Sequence, residues 1–256
     1  MYKYICQKCN KAFETRKKDQ KYCSRSCANS INTARRKIED KSIFKNGINE
    51  ISSYILGIIL SDGCLSYDEH SKRYRITISM NDYEIIELLR ERFSPTKKLY
   101  SYKHPRGKDI TYTFITTNDY DLKYIRSIGI SERKSNIVNI PLIDRNFERH
   151  MIRGIFDGDG SVYINKTKTK YNDIEKEYKY INVSFTSGSY EFAVEINEIL
   201  HRNNINSHIV KDSREDHLCW YVKIYSKEDI DRFYSYIYLD CTLYLKRKYN
   251  IFNMMI

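Results

Sequence analysis

Tyr54-Ile55-Leu56-Gly57-Ile58-Ile59-Leu60-Ser61-Asp62-Gly63 and Met151-Ile152-Arg153-Gly154-Ile155-Phe156-Asp157-Gly158-Asp159-Gly160 are two versions of one phrase in a chain of 256 residues. Each is an apolar run with a glycine in its middle and Asp-Gly at its close. The run covers about two helical turns without proline or β-type alternation, so it reads as a helix that stops at the final glycine. Asp62 and Asp159 then sit at helix C-termini, where the macrodipole is already negative and Lys or Arg is preferred. One such violation is ordinary. Two at matching positions call for a cation to compensate them, because sites that break local rules tend to be functional.

The central glycines extend this reading. A glycine inside a helix costs about 1 kcal/mol relative to alanine, a cost best explained by close approach of another backbone. If Gly57 faces Gly154, the two helices pack side by side and bring Asp62 and Asp159 together. Two neighbouring carboxylates repel, and the repulsion is resolved by a shared proton or by a divalent metal with oxygen ligands. A single copy of the phrase would read more simply as a buried helix followed by an Asp-Gly turn. Duplication reverses that preference.

The repeat continues beyond the phrases. The first is followed by a strand pattern, Arg73 to Met80, and a helix opened by Asn81-Asp82-Tyr83-Glu84. The second is followed by a strand pattern, Tyr178 to Thr186, and a helix opened by Ser187-Gly188-Ser189-Tyr190-Glu191. Further strand-like runs are Lys98 to Tyr102 with Ile110 to Thr117, and Ser207 to Asp212 with Leu218 to Tyr225. Glu132-Arg133-Lys134-Ser135-Asn136-Ile137-Val138-Asn139 late in the first half is nearly copied by Lys246-Arg247-Lys248-Tyr249-Asn250-Ile251-Phe252-Asn253 in the second. The fold class is therefore α+β, with two pseudo-symmetric α-β-β-α-β-β-α halves over residues 49–140 and 141–256. An insertion around Lys166 to Lys176 in the second half reads as a surface hairpin.

Strand alternation divides the faces. Arg73, Arg75, Thr77 and Ser79 oppose Tyr74, Ile76, Ile78 and Met80. Tyr178, Tyr180, Asn182, Ser184 and Thr186 oppose Lys179, Ile181, Val183 and Phe185. Cys219, Tyr221, Lys223 and Tyr225 oppose Leu218, Trp220, Val222 and Ile224. Any half-buried sheet shows such alternation and solvent alone accounts for a polar face. The kind of polar residue adds a second reading, since Arg, Lys, Asn, Thr, Ser and Tyr bond to base edges and phosphates.

With both phrases in order, residues 50 to 256 resemble a LAGLIDADG homing endonuclease of the single-chain, two-motif kind. The resemblance implies that the motif helices form the interface between the halves. It also implies that Asp62 and Asp159, with backbone carbonyls beside them at Ser61 and Gly158, hold Mg2+ (or Mn2+) at the scissile phosphates. Basic residues near each centre would stabilise the transition state, which makes Lys134, Lys248 and Lys223, with Arg133 and Arg247, candidates; each is equally readable as a phosphate contact or a plain surface charge. One departure is visible, since the earlier acidic position is Asp157 in the second motif but Leu60 in the first.

The formal net charge of +11 is unevenly placed: residues 1–48 hold 13 Lys/Arg against 4 Asp/Glu, so +9 of it lies there. That segment contains Cys6, Cys9, Cys23 and Cys27 in a C-x2-C-x13-C-x3-C spacing, which matches structural Zn2+ ligation by four thiolates; free structural cysteines are the lesser alternative. Residues 1–30 then form a zinc finger, with Arg16, Lys17, Lys18, Lys21 and Arg25 facing DNA, and 31–48 a basic linker containing Arg35, Arg36 and Lys37. The stretch Ala28 to Ile48 has few large apolar residues and reads as either an extended arm or a short exposed helix. No signal peptide or membrane-spanning run is present, which implies a soluble intracellular protein, and none of the six histidines has ligand spacing with another.

These features point to a monomeric, Mg2+-dependent endonuclease that hydrolyses both strands of a long asymmetric double-stranded DNA site, with affinity that falls steeply with salt. An RNA maturase or a non-cleaving DNA-binding regulator on the same scaffold is the competing expectation.

Overall fold

The computed structural model describes residues 1–132, 139–171, 174–214 and 218–254. The chain divides into two compact units, Met1–Lys41 with Leu89–Lys98, and Ser42–Leu88 with Leu99–Ile256.

In the smaller unit, β1 (Tyr2–Ile5) and β2 (Ala12–Thr15) form an antiparallel hairpin, with Ile5 opposite Ala12. The turn is closed by the Cys6 N–H donating to Lys11 O at 2.9 Å, and Asn10 takes the positive φ of 55° that it needs. Helix α1 (Arg25–Glu39) follows, so of the two conformations open to the segment after Ala28 the backbone takes the helical one as far as Glu39. Residues 89–98 join this unit through the Lys41 N–H to Phe93 O hydrogen bond at 2.8 Å and the Lys97–Asp40 ion pair at 2.8 Å.

The larger unit is the expected duplication. Its first half runs α2 (Glu50–Ser61), β3 (Gly63–Asp68), β4 (Arg73–Met80), α3 (Tyr83–Phe93, of which the residues from Leu89 on belong to the smaller unit), β5 (Tyr100–Lys103), β6 (Ile110–Thr116) and α4 (Asp119–Ser127). Its second runs α5 (Arg145–Asp159), β7 (Gly160–Tyr171), β8 (Ile174–Ser187), α6 (Tyr190–Arg202), β9 (His208–Lys211), β10 (Trp220–Ile224) and α7 (Lys227–Tyr238), with α8 (Lys246–Asn253) after it. Each half folds one four-stranded antiparallel sheet, and the strand orders correspond: β3-β4-β6-β5 and β7-β8-β10-β9. Strands β3 and β7 carry no separate sequence signal, because each starts on the motif's own closing glycine with no turn between. Gly63 pairs with Ile78 and Gly160 with Phe185, so helix ends are fixed directly to the sheet edges. The insertion is the far end of the long β7–β8 hairpin, where Lys166–Glu177 and Lys168–Glu175 ion pairs cross the ladder.

Helix α2 starts from a capping box: Asn49 Oδ1 accepts from the N–H groups of Ile51 and Ser52, while Ser52 Oγ accepts from Asn49 N–H. From Ser52 to Leu60 every residue is buried, as befits a helix with protein on all sides. The apolar sheet faces supply the cores: Ile76, Ile78, Met80 and Phe114 in the first half, and Val183, Phe185, Val222 and Ile224 in the second. In the second half, Phe156 of α5 meets Phe185 and Phe233 edge-on, with ring centroids 5.3 and 5.0 Å apart. No helix among the described residues is long and apolar enough to cross a membrane.

Candidate active site at the motif helices

The two motif helices touch backbone to backbone. A methyl group on Gly57 would be driven into the carbonyl oxygen of Met151 and would stand 2.8 Å from Gly154 Cα; one on Gly154 would meet Tyr54 O and stand 2.9 Å from Gly57 Cα. The glycines are therefore required by reciprocal close approach, not by backbone conformation. One turn later the same pairing repeats with Ser61 and Gly158. A Cβ on Gly158 would collide with the Ser61 side chain and lie 2.8 Å from Asp62 Oδ2. Asp62, the C-cap of α2, is half-buried; Asp159, the last residue of α5, is exposed. The carboxylate of Asp62 thus lies against the residue that precedes Asp159, and the two acids arrive at one end of the helix pair.

Neither α2 nor α5 has a basic residue in its last turn. For α5 part of the compensation comes from the chain itself. Lys248 Nζ reaches Phe156 O at 2.6 Å, Asp157 O at 2.9 Å, Gly158 O at 3.3 Å and Gly160 O at 2.5 Å. This ammonium caps the orphan carbonyls of the helix end. It is 2% exposed, and burial pulls its pKa down to about 8. The motif's unpaired acidic position is also structural. Asp157 is fully buried and accepts from Tyr54 OH at 3.0 Å, Tyr238 OH at 2.9 Å and Leu245 N–H at 2.8 Å. Burial raises its pKa against these three donors.

Arg153, a cation inside the second phrase, is likewise buried. It donates to Leu243 O at 2.6 Å, Ile237 O at 2.9 Å and His150 Nδ1 at 2.8 Å, and pairs with Glu50 Oε1 at 3.4 Å. Burial, with Arg153 alongside, holds the His150 pKa at about 4, so the ring is neutral at pH 7 and its Nδ1 lone pair accepts.

Beside Asp62 opens a cleft of about 280 Å3 lined by Ser79, Asn81, Asp82, Thr111, Gly158 and Arg247, among others. Arg247 is bound there in two-pronged fashion, Nε to Asp82 Oδ1 at 2.8 Å and Nη2 to Asp82 Oδ2 at 3.1 Å. Lys246 Nζ pairs with Glu84 Oε2 at 3.0 Å. Asp82, Glu84 and Lys246 are not singled out by sequence reasoning. The near-copy that contains Lys246 could have drawn attention to it.

A LAGLIDADG-like domain model matches residues 146–238, and a WhiA LAGLIDADG-like domain model matches residues 51–118. Each half of the chain thus matches a LAGLIDADG-like domain. No curated protein matched it. Among solved structures, it is similar to the I-LtrWI LAGLIDADG homing endonuclease bound to target DNA, at 11% identity and a TM-score of 0.54 over 79% of this chain and 88% of that one. It is also similar to the LAGLIDADG meganuclease I-AabMI bound to uncleaved DNA, at 11% identity and a TM-score of 0.53 over 80% and 88%. A variant of I-DmoI in complex with nicked target DNA and Mn matches at 16% identity and a TM-score of 0.51 over 75% and 98%. The fold is that of the LAGLIDADG homing endonucleases.

The polar faces of the LAGLIDADG sheets hold the expected residues. Arg73 is exposed; Arg75 donates to Asp68 Oδ2 at 3.1 Å and Ser66 Oγ at 3.3 Å; Thr77 stands half-buried opposite Cys64. Tyr180 is exposed, and Asn182 is half-buried with a buried Nδ2 that has no protein partner. Ser184 stands opposite Lys223, whose Nζ lies 5.4 Å from the centre of the Tyr221 ring; Tyr221 OH donates to Asp212 Oδ2 at 2.9 Å. Lys223 is thus on the sheet face, whereas Lys248 is inside the protein. Arg133 and Lys134 lie outside the described residues.

In the smaller unit the four cysteine sulfurs lie within 4.8 Å of one another, with Cys9–Cys23 at 3.6 Å and Cys23–Cys27 at 3.7 Å. Tetrahedral thiolates at about 2.3 Å from Zn2+ stand about 3.8 Å apart, so the cluster is compatible with zinc. Arg16, Lys17, Lys18 and Arg25 are exposed beside it. Arg35, Arg36 and Lys37 lie on the helical backbone of α1.

Proposed function

We propose that the protein is a site-specific endonuclease that hydrolyses both strands of a long, asymmetric duplex. The observation that carries this reading is the convergence of Asp62 and Asp159 at the C-terminal ends of two glycine-sealed helices, beside a cleft that also holds a guanidinium. The donors fit a hard divalent cation such as Mg2+ or Mn2+: carboxylate oxygens at two negative helix ends, with Ser61 and Gly158 packed so closely that only small groups fit between. Asp62 and Asp159 would hold it. When bound, such an ion supplies Lewis-acid stabilisation of the leaving oxygen and a lowered pKa for attacking water. Hydrolysis adds water across a P–O3′ bond, leaving the hydroxyl on phosphorus and the proton on the 3′ oxygen. The chain's own part is positional. The polar sheet faces bind the duplex on either side of the motif ends, Arg247 faces the phosphate, and the cysteine cluster with Zn2+ folds a basic module that adds phosphate contacts and salt-dependent affinity.

The match of residues 51–118 to the WhiA LAGLIDADG-like model favours a second reading, a DNA-binding regulator that does not cut. One experiment separates the two. A duplex selected by binding from a random-sequence library is incubated with the protein and Mg2+, and in parallel with Ca2+. The endonuclease reading expects cleavage with Mg2+ and binding with both ions; tight binding without cleavage in either ion overturns it. For the module, Cys6→Ser with Cys9→Ser should lower bound zinc and weaken DNA binding while the larger unit stays folded. Purified wild-type protein without zinc would refute that assignment.

A further inference from the structure

Resting on the endonuclease reading, we propose that Asp82 is a positioning residue that clamps Arg247 in the cleft of Asp62, and that this clamp makes the two cutting centres unequal.

Arg247 comes from the first turn of α8 in the second half, and Asp82 from the N-terminal end of α3 in the first. Their two parallel hydrogen bonds, 2.8 and 3.1 Å, give the geometry in which a guanidinium is held most firmly. The Asp82 side chain is 17% exposed and that of Arg247 58%, so the carboxylate is the anchored partner and the guanidinium stays open to the cleft. Two of its five N–H donors engage Asp82, and the other three can meet an anion. The Lys246–Glu84 ion pair, one residue before, braces the same junction. A cation fixed in place before substrate arrives stabilises the charge that develops on a phosphate undergoing attack without first having to be ordered. Arg247 neither gains nor loses a proton in this role.

Among the described residues the second half shows no carboxylate at the place of this clamp. Aligning Asn81-Asp82-Tyr83-Glu84 with Gly188-Ser189-Tyr190-Glu191 puts Ser189 at the place of Asp82. Its hydroxyl caps α6, accepting from Phe192 N–H at 3.2 Å and bonding Glu191 Oε2 at 3.0 Å. A neutral hydroxyl engaged in this way offers no two-pronged acceptor to a guanidinium. The duplication therefore preserved the motif acids but has a carboxylate at this position in the first half and a hydroxyl in the second. The strand lying over the cleft of Asp62 is cut first, and a nicked duplex precedes the double-strand break.

The test uses the full-length protein, Mg2+ and the binding-selected duplex, with the two strands carrying different end labels. Wild-type protein should accumulate one specific nick. Asp82→Asn should slow that strand by about tenfold or more while leaving the other within about twofold, with melting temperature and DNA affinity unchanged. Asp82→Glu should restore part of the bias. Arg247→Ala should slow the same strand, and its effect should not add to that of Asp82→Asn. Equal slowing of both strands with a lower melting temperature would mean that the pair only locks the halves together, and would overturn the proposal. So would wild-type cutting that Asp82→Asn leaves unchanged. Wild-type protein that binds the duplex and cuts neither strand removes the endonuclease reading, and this inference with it.

Discussion

The first half and the second half share one strand order and one motif geometry, yet they are held together by different chemistry. At the seam they correspond position by position: Gly57 answers Gly154, Ser61 answers Gly158, and Asp62 and Asp159 each stand at a helix C-terminal end. Two residues before each of these acids, the likeness ends. The first half offers Leu60, buried among apolar neighbours, while the second offers Asp157 with three donors around it. The first helix has Ser53, bonded to Phe147 O at 2.7 Å, where the second has His150 in contact with a buried arginine. The first half's leading strand has 6 residues and the second's 12. Identity is kept where two backbones touch and two acids meet, and is relaxed where each half faces its own surroundings.

The comparison breaks most completely if the acids are not equivalent. Asp62→Asn and Asp159→Asn should each abolish double-strand cutting while sparing DNA affinity, measured by linearisation of a plasmid target and by gel shift. Full activity of either variant would show that the halves do not share the chemistry. Next in size, Gly57→Leu puts a side chain where Met151 O and Gly154 Cα already stand, and should cost about 3 kcal/mol or more, read as a lower midpoint in urea. The reciprocal Gly154→Leu should cost about the same if the seam is symmetric.

Asp157→Leu, which gives the second motif the residue of the first, leaves Tyr54 OH, Tyr238 OH and Leu245 N–H without an acceptor. It should destabilise by about 3 kcal/mol; a neutral result would show that the network can be replaced by packing. The smallest effect is a pH slope. His150 binds a proton below about 6.5 when unfolded but only below about 4 when folded. Between those values the unfolded chain carries more protons, so stability should fall as pH drops from 6.5 to 4 and be flat for this group above 6.5. Melting temperatures across that range should lose this component in His150→Gln and keep it in Ser53→Ala.

Much of this architecture is legible in the sequence because it is written locally. The alternation of Arg73 to Met80 gives β4 its bounds, and the paired glycines imply the helix contact before any coordinates. Strands β3 and β7 escape because the motif glycine is at once helix stop and first strand residue, leaving no turn residues to mark the change. The site is legible in its acids, which break a rule of helix ends twice over. It is not legible in its supports. Lys248 is conspicuous by its place in the near-copy, but that its ammonium meets the carbonyls of Phe156, Asp157, Gly158 and Gly160 depends on where α5 ends, about ninety residues earlier. The burial of Arg153 depends likewise on carbonyls of Ile237 and Leu243, and no periodicity reports such distant partners.

The bond from Tyr54 to Asp157 carries a further meaning, because it joins unlike halves. In a pairing of two first halves, Tyr54 would find leucine where it now finds a carboxylate. In a pairing of two second halves, Asp157 would find Met151 where it now finds a hydroxyl. The first mistake strands a buried hydroxyl in apolar surroundings, a penalty of about 1–3 kcal/mol, and the second takes from Asp157 one of its three donors, while the glycine contact alone would accept both. The Tyr54 hydroxyl thus tells each half which partner is the right one, and discourages like halves of neighbouring chains from pairing.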